Sequence, residues 1–247
     1  MFTPEYREEV REKLIQHSRE DKRIVSAAAA GSYAGNAVDR WSDIDLTFGY
    51  DPVFSIDSML NSWTEYVSSE FSGVPILDIS RGSSVYRVFI FPGCLQVDLS
   101  FTPQSDFGSI SRHFSLIYGS KKDLPNAAGQ SAEECFGFLA HHLLRVRVCV
   151  ERGRLWQAEF WLSEARNYAL KLCCLSRGLN TDHGRGFDDL PQDILEPYKN
   201  TLIKELSSEE LARALSALLL QIDKISPEIC LLNDKTRNLL ADLNIHK

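Results

Sequence analysis

No stretch of the sequence stays apolar for the roughly 18 residues that a membrane-spanning helix requires. The first residues, Met1 to Glu9, are charged and lack the apolar core of a secretory signal. A basic excess is also missing: 34 Asp and Glu outweigh 27 Lys and Arg, for a formal charge of -7. That balance argues against general nucleic-acid binding through a basic surface and leaves room only for a local basic cleft. Zinc-type spacings of His and Cys are absent, as is any C-x-x-C pair. Several of the six cysteines (Cys94, Cys135, Cys149, Cys173, Cys174, Cys230) fall in apolar helical runs. They are expected to be reduced core residues of a cytoplasmic protein. The chain contains no internal repeat and no low-complexity tract.

What is present suits a soluble globular chain. Apolar residues make up 44% and charged residues 25%, so a core of normal size is possible. The 247 residues fit one large domain or two modest ones. A polar segment from Lys121 to Gly129, with Pro125 and Asn126, marks the expected boundary. Before it, strands and helices mix. Thr3 and Pro4 open a helix, and strands are expected at Ile24–Ala29, Asp43–Phe48, Pro75–Ile79, Val85–Phe91 and Leu95–Phe101. A helix is expected between, over Asp57–Ser69.

After the boundary the pattern is helical. Ser131-x-x-Glu134 is a capping box for a helix that runs to about Arg152, with Gly153 at its end. Leu155 to Arg177 forms a second long helix closed by Gly178. Trp156, Phe160, Trp161 and Leu162 make it apolar around much of its circumference, which predicts a central place in a bundle. Three further helices are expected near 192–206, 208–225 and 230–243, with Ser207-x-x-Glu210 as another capping box.

Chemistry concentrates in residues 31–45. Asp43 and Asp45 alternate with Ile44 and Leu46 on a strand, so both carboxylates project from one face. Two carboxylates that close repel each other, and a hard divalent cation such as Mg²⁺ is the usual remedy. Gly31-Ser32 stands where a strand meets a helix start, a place that suits a phosphate. Asp98 lies on the polar face of an alternating strand, with Gln96 and Ser100. If that strand lies beside the first, three carboxylates converge.

Taken together, Gly31-Ser32-Tyr33-Ala34, Trp41-Ser42-Asp43-Ile44-Asp45-Leu46 and Asp98 resemble the nucleotidyltransferase superfamily that includes DNA polymerase β. The fuller string is similar to its small-molecule branch, with the aminoglycoside and lincosamide nucleotidyltransferases of antibiotic resistance. The resemblance implies an α+β fold: a nucleotidyltransferase mixed sheet with flanking helices at 1–122, then an α-helical bundle for substrate at 123–247. It implies a transferase with two Mg²⁺ ions on Asp43, Asp45 and Asp98, and Gly31 and Ser32 on the phosphates of a nucleoside triphosphate. Asp98 would also help to orient the acceptor. The expected reaction moves a nucleoside monophosphate, AMP from ATP in the first instance, onto a hydroxyl of a small molecule. An aminoglycoside or lincosamide leads as acceptor class. Nucleotidylation of a protein or tRNA, as in toxin–antitoxin relatives, is the alternative enzyme reading. A non-catalytic nucleotide-binding module is the alternative outside catalysis.

In the helical half Glu159, Ser163 and Arg166 share one stripe of the second helix. Charges on an apolar helix need partners, so an internal salt bridge explains them. The sharper expectation turns the stripe to a cleft between the halves, with Glu159 as general base and Arg166 as a phosphate contact. Glu134 and Glu164 are rival bases. The loop His183–Asp189 either lines the acceptor pocket or is a tight turn that docks on the sheet. Of His141 and His142, one is expected packed and the other solvated. Trp41 is expected to pack rather than stack on substrate, and Lys121-Lys122 to be solvated. Membrane and nucleic-acid partners are not expected, and no residue pattern speaks to oligomeric state.

Overall fold

Small and β-branched side chains at Ile24–Ala30 let this strand sit inside a sheet, paired on both sides. The computed structural model describes residues 1–35, 38–109, 114–124, 129–222, 224–225, 240 and 242–243. Two compact units divide the chain, Met1–Ala128 and Gly129–Lys247. The expected helix at 230–243 lies almost wholly outside the described residues, as do Pro125, Asn126 and Cys230.

In the first unit, α1 (Pro4–Glu20) starts with Thr3 accepting from the Tyr6 amide and Pro4 in its first turn. Then come β1 (Ile24–Ala30), the single-turn α2 (Gly31–Ala34), β2 (Ile44–Tyr50), α3 (Ile56–Phe71), β3 (Val74–Arg81), β4 (Ser84–Phe91) and β5 (Leu95–Pro103). The short β6 (Gly108–Ser109), β7 (Phe114–Tyr118) and β8 (Lys122–Asp123) complete the unit. Six strands form one mixed sheet in the order β3-β4-β5-β2-β1-β7. Only β2 and β5 run parallel in it, the others being antiparallel neighbours.

Alternation then sorts the sheet's faces. Ile44, Leu46 and Phe48 of β2, with Val97, Leu99 and Phe101 of β5, join Val10 and Leu14 of α1 and Met59, Trp63 and Val67 of α3 in one core. Trp63 is fully buried between Phe48 and Phe101, its ring 4.8 and 5.3 Å from theirs. The odd positions of β2 and even positions of β5 face the other way, and these carry Asp45 and Asp98. The apolar set thus holds the sheet against two helices while the carboxylates stand on the opposite face.

The second unit is helical. Ser131 and Glu134 form both bonds of the capping box, at 3.1 and 2.9 Å, and open α4 (Ala132–Glu151). Gly153 and Gly178, both with φ near +65°, follow α4 and α5 (Leu155–Leu175). Next come α6 (Gln192–Tyr198) and α7 (Ser208–Ile222). Leu139, Leu143, Leu162, Ala165, Ala169, Leu211, Leu215 and Leu218 are fully buried in its core.

Three expectations change here. The second long helix is not apolar-packed all round: Trp156 is 81% and Phe160 55% exposed, so its first half buries only the Ala158–Leu162–Ala165–Ala169 stripe, while its last turns bury Leu170, Leu172, Cys173 and Cys174. The stretch 192–206 is not one helix. It breaks after Thr201 because arginines capture its carbonyls: Arg213 donates to Asn200 and Leu202 O, and Arg166 to Thr201 O. The box at 207–210 is half made. Ser207 caps the Glu210 amide, while the Glu210 carboxylate accepts from the Lys204 amide and Arg213. Those bonds, Arg213's first, hold the Glu210 carboxyl down at about 2.

Candidate metal centre

Register brings the three aspartates together. In the parallel β2–β5 pair, Asp45 stands directly opposite Asp98, so both side chains leave the same face. Asp43, two residues before Asp45 and just ahead of β2, adds the third. One oxygen of each lies within 4.8 Å of the others. All three are partly shielded from solvent.

Burial pushes the Asp98 carboxyl above its ordinary value, and the Asp43 charge pushes the same way. The Gln96 amide, which donates to both Asp98 oxygens at 3.0 and 3.1 Å, works against them. Gln96 and Asp98 are i and i+2 on β5, so the same alternation that exposes the aspartate supplies its partner. Among the described residues, no arginine or lysine forms an ion pair with Asp43 or Asp98.

Gly31 shows how the backbone accommodates this cluster. Its φ is +59°, and a β-carbon built on it would lie 1.9 Å from Asp45 Oδ2. The α2 turn therefore presses main chain against a carboxylate where any other residue would clash. Ser32 follows in that turn, half-buried.

The donor set fits a hard divalent ion. Carboxylate oxygens are its preferred ligands, and a cation offsets the repulsion of three like charges. Mg²⁺ held by Asp43, Asp45 and Asp98 is consistent with both points.

The loop that delivers Asp43 is a built turn. Asp39 Oδ1 accepts from the Trp41 amide at 2.8 Å and from Ser42 Oγ at 3.0 Å, and Ser42 Oγ accepts from the Asp39 amide at 2.9 Å. The Trp41 bond first, then that of Ser42, holds the Asp39 carboxyl below its usual range. Trp41 is not a packing residue: it is 56% exposed, with the Arg40 guanidinium over its ring at 4.3 Å. The short-range pattern 39–42 says nothing of that exposure, because packing depends on what lies across from it.

The other candidates belong to α5 in the second unit. Arg166 is an anchor there, its Nε donating to Thr201 Oγ1 at 2.8 Å and Nη2 to Thr201 O at 2.9 Å. Burial pulls its guanidinium below the ordinary value and the nearby Glu159 charge opposes that. Glu159 itself is half-buried. His142 is the packed histidine, ringed by Phe138, Trp161 and Tyr168, and His141 is the solvated one. The 183–189 loop turns against α5 rather than docking on the sheet as expected, with Cys174 Sγ donating to Gly186 O at 3.4 Å. Lys121 and Lys122 are exposed. Two contributors carry no sequence signal of function: Arg7, treated below, and Gln96, recognisable only by sharing the Asp98 face.

No family model and no curated protein matches the sequence. Among solved structures the chain is similar to the crystal structure of an aminoglycoside 6-adenyltransferase from Bacillus subtilis. The identity is 13%, the match covers 93% of this chain and 94% of that one, and the TM-score is 0.42. No helix among the described residues is long and apolar enough to cross a membrane. On its own residues, the chain brings the Gly31-Ser32 turn, Asp43 just ahead of β2, Asp45 on β2 and Asp98 on β5 together in an α+β unit.

Proposed function

We propose that this protein is a Mg²⁺-dependent nucleotidyltransferase that moves a nucleoside monophosphate, AMP from ATP, onto a hydroxyl of a small molecule. The observation that carries the reading is the convergence of Asp43, Asp45 and Asp98 with Gly31 pressed against Asp45. Three carboxylates gathered on one sheet face, without an arginine or lysine paired to Asp43 or Asp98 among the described residues, are matched to bound cations.

When bound, two Mg²⁺ ions supply charge stabilisation to the triphosphate and to the attacking oxygen, as in two-metal phosphoryl chemistry. Asp43, Asp45 and Asp98 would hold these ions, with Asp98 also helping to orient the acceptor. The Gly31 backbone and the Ser32 hydroxyl receive phosphate oxygens. The acceptor oxygen forms a bond to the α-phosphorus, the bond from that phosphorus to the bridging oxygen breaks, and pyrophosphate leaves with the electron pair. Glu159 is proposed as the general base that takes the hydroxyl proton. Arg166 keeps N–H donors beyond the two it gives Thr201, and a phosphate contact is their proposed use.

An aminoglycoside or lincosamide is the proposed acceptor class, by the resemblance of residues 31–46. The net charge of -7 suits a polycationic aminoglycoside. The test is pyrophosphate release from ATP and Mg²⁺ against a panel of these antibiotics, beside α-labelled ATP with protein and tRNA acceptors. Label on a small acceptor supports the proposal. Label on protein or tRNA alone replaces the acceptor class, and nucleotide binding without turnover reduces the protein to a binding module.

A further inference from the structure

Among the described residues, Arg7 is the only arginine, lysine, aspartate or glutamate buried as a whole residue, at 6% exposure. A buried guanidinium must spend its donors on specific partners. Arg7 spends them on the turn that delivers Asp43. Its Nη1 donates to the carbonyl oxygen of Asp39 at 2.5 Å and to that of Ser42 at 3.4 Å. Nε and Nη2 donate to Glu8 Oε1 at 3.3 and 3.2 Å.

Glu8 is shared. Its Oε2 accepts from Arg11 Nε at 2.8 Å, and the Arg11 guanidinium lies over the Tyr33 ring at 4.1 Å. Tyr33 directly follows Gly31-Ser32. One face of α1 therefore grips the segment between Gly31 and Asp43 at two places, at Tyr33 and at the 39–42 turn.

The Ser42 carbonyl and the Asp43 amide are one rigid peptide plane. A donor on that oxygen restrains the plane from which Asp43 departs. Asp43 precedes β2, so the sheet ladder that orients Asp45 and Asp98 does not orient it. We propose that Arg7 is a positioning residue for the metal centre, holding the Asp39–Ser42 turn so that the Asp43 carboxylate meets those of Asp45 and Asp98. This rests on reading the three aspartates as metal ligands.

The experiment is a Mn²⁺ titration of the full chain, without nucleotide or acceptor, followed by the electron paramagnetic resonance of free Mn²⁺. Wild type, R7M, R7K and the D43N/D45N double variant are compared, with the melting temperature of each in EDTA. Partners behind the ligands tune affinity by about 10- to 100-fold, so R7M is expected to weaken Mn²⁺ binding at least tenfold, with R7K intermediate. A merely structural arginine would lower the metal-free melting temperature and leave the affinity alone. A loss under about threefold in a folded R7M overturns the proposal, being below that range. Should R7M not fold, R7K decides on the same threshold: it keeps the charge but has no planar guanidinium to bond Glu8 and both carbonyls at once. If wild type and D43N/D45N bind Mn²⁺ alike, it is the ligand assignment that fails, and the Arg7 proposal fails with it.

Discussion

Gly31 backs directly onto Asp45, close enough that a β-carbon would sit 1.9 Å from the carboxylate oxygen Oδ2. The α2 turn and the Asp45 side chain of β2 are thus in van der Waals contact. G31A must move either the α2 turn or the Asp45 carboxylate, and also places a side chain at φ +59°. The expected cost is about 1 kcal/mol of stability from the backbone alone. Loss of at least about tenfold in Mn²⁺ affinity should accompany it, the size seen when groups that orient metal ligands are changed. Calorimetry of Mn²⁺ binding beside thermal unfolding checks both. Unchanged binding would mean that the contact serves packing only.

Asp98 carries a like-charge burden that should surface in the metal-free protein. Its burial and the Asp43 charge both disfavour the ionised form. D98N removes a charge while keeping the shape and the chance of bonding Gln96. In EDTA, D98N is expected to melt about 2–4 °C above wild type, the shift that 1 kcal/mol gives in a chain of this size. Mg²⁺ should then raise the wild-type melting temperature and leave D98N nearly unmoved, because only the native set of ligands binds it. A D98N protein less stable than wild type in EDTA would count against the strained-cluster account.

Asp21 sets a pH dependence away from the site. Burial by itself would raise its carboxyl, but bonds from Arg23 at 2.7–3.0 Å and from Trp63 Nε1 at 3.0 Å outweigh that and hold it below the usual range. A depressed folded pKa means stability that is complete above the unfolded value and lost as pH falls through the folded one. D21N is expected to cost about 1–3 kcal/mol at neutral pH, since charged donors lose their acceptor. The difference from wild type should shrink in acid below the normal carboxylate range. Urea unfolding of both proteins from neutral pH into that range measures it, and a gap constant with pH would rule out the ionic cause.

Glu159 and Arg166 share a stripe of α5 and should part company on mutation. E159Q is expected to lower kcat by about 10²- to 10⁴-fold with little change in melting temperature, as for a general base. R166M leaves Thr201 without both of its guanidinium bonds and should lower the melting temperature, with about 1–3 kcal/mol lost. A stability loss in E159Q with an unchanged rate would assign that glutamate to the Arg166 environment instead.

Short-range pattern determined much of this protein. The Ser131–Glu134 capping box, the Thr3 cap and the glycines at Gly31, Gly153 and Gly178 each depend on residues within a few positions. Backbone geometry alone dictates what they do. The α+β order, the helical second half and the carboxylate face of the Asp98 strand follow from the same periodicities. Tertiary structure decided the rest. Whether Asp98 stands opposite Asp45 depends on which strands pair and in what register, and the parallel β2–β5 ladder is set by packing of the whole sheet on α1 and α3. Arg7 reaches Asp39 across 32 positions and Arg166 reaches Thr201 across 35, distances over which no spacing rule operates. The exposure of Trp156 and Phe160 belongs here too. An apolar side chain records that burial is favourable, and only the neighbours that the fold supplies determine whether it happens.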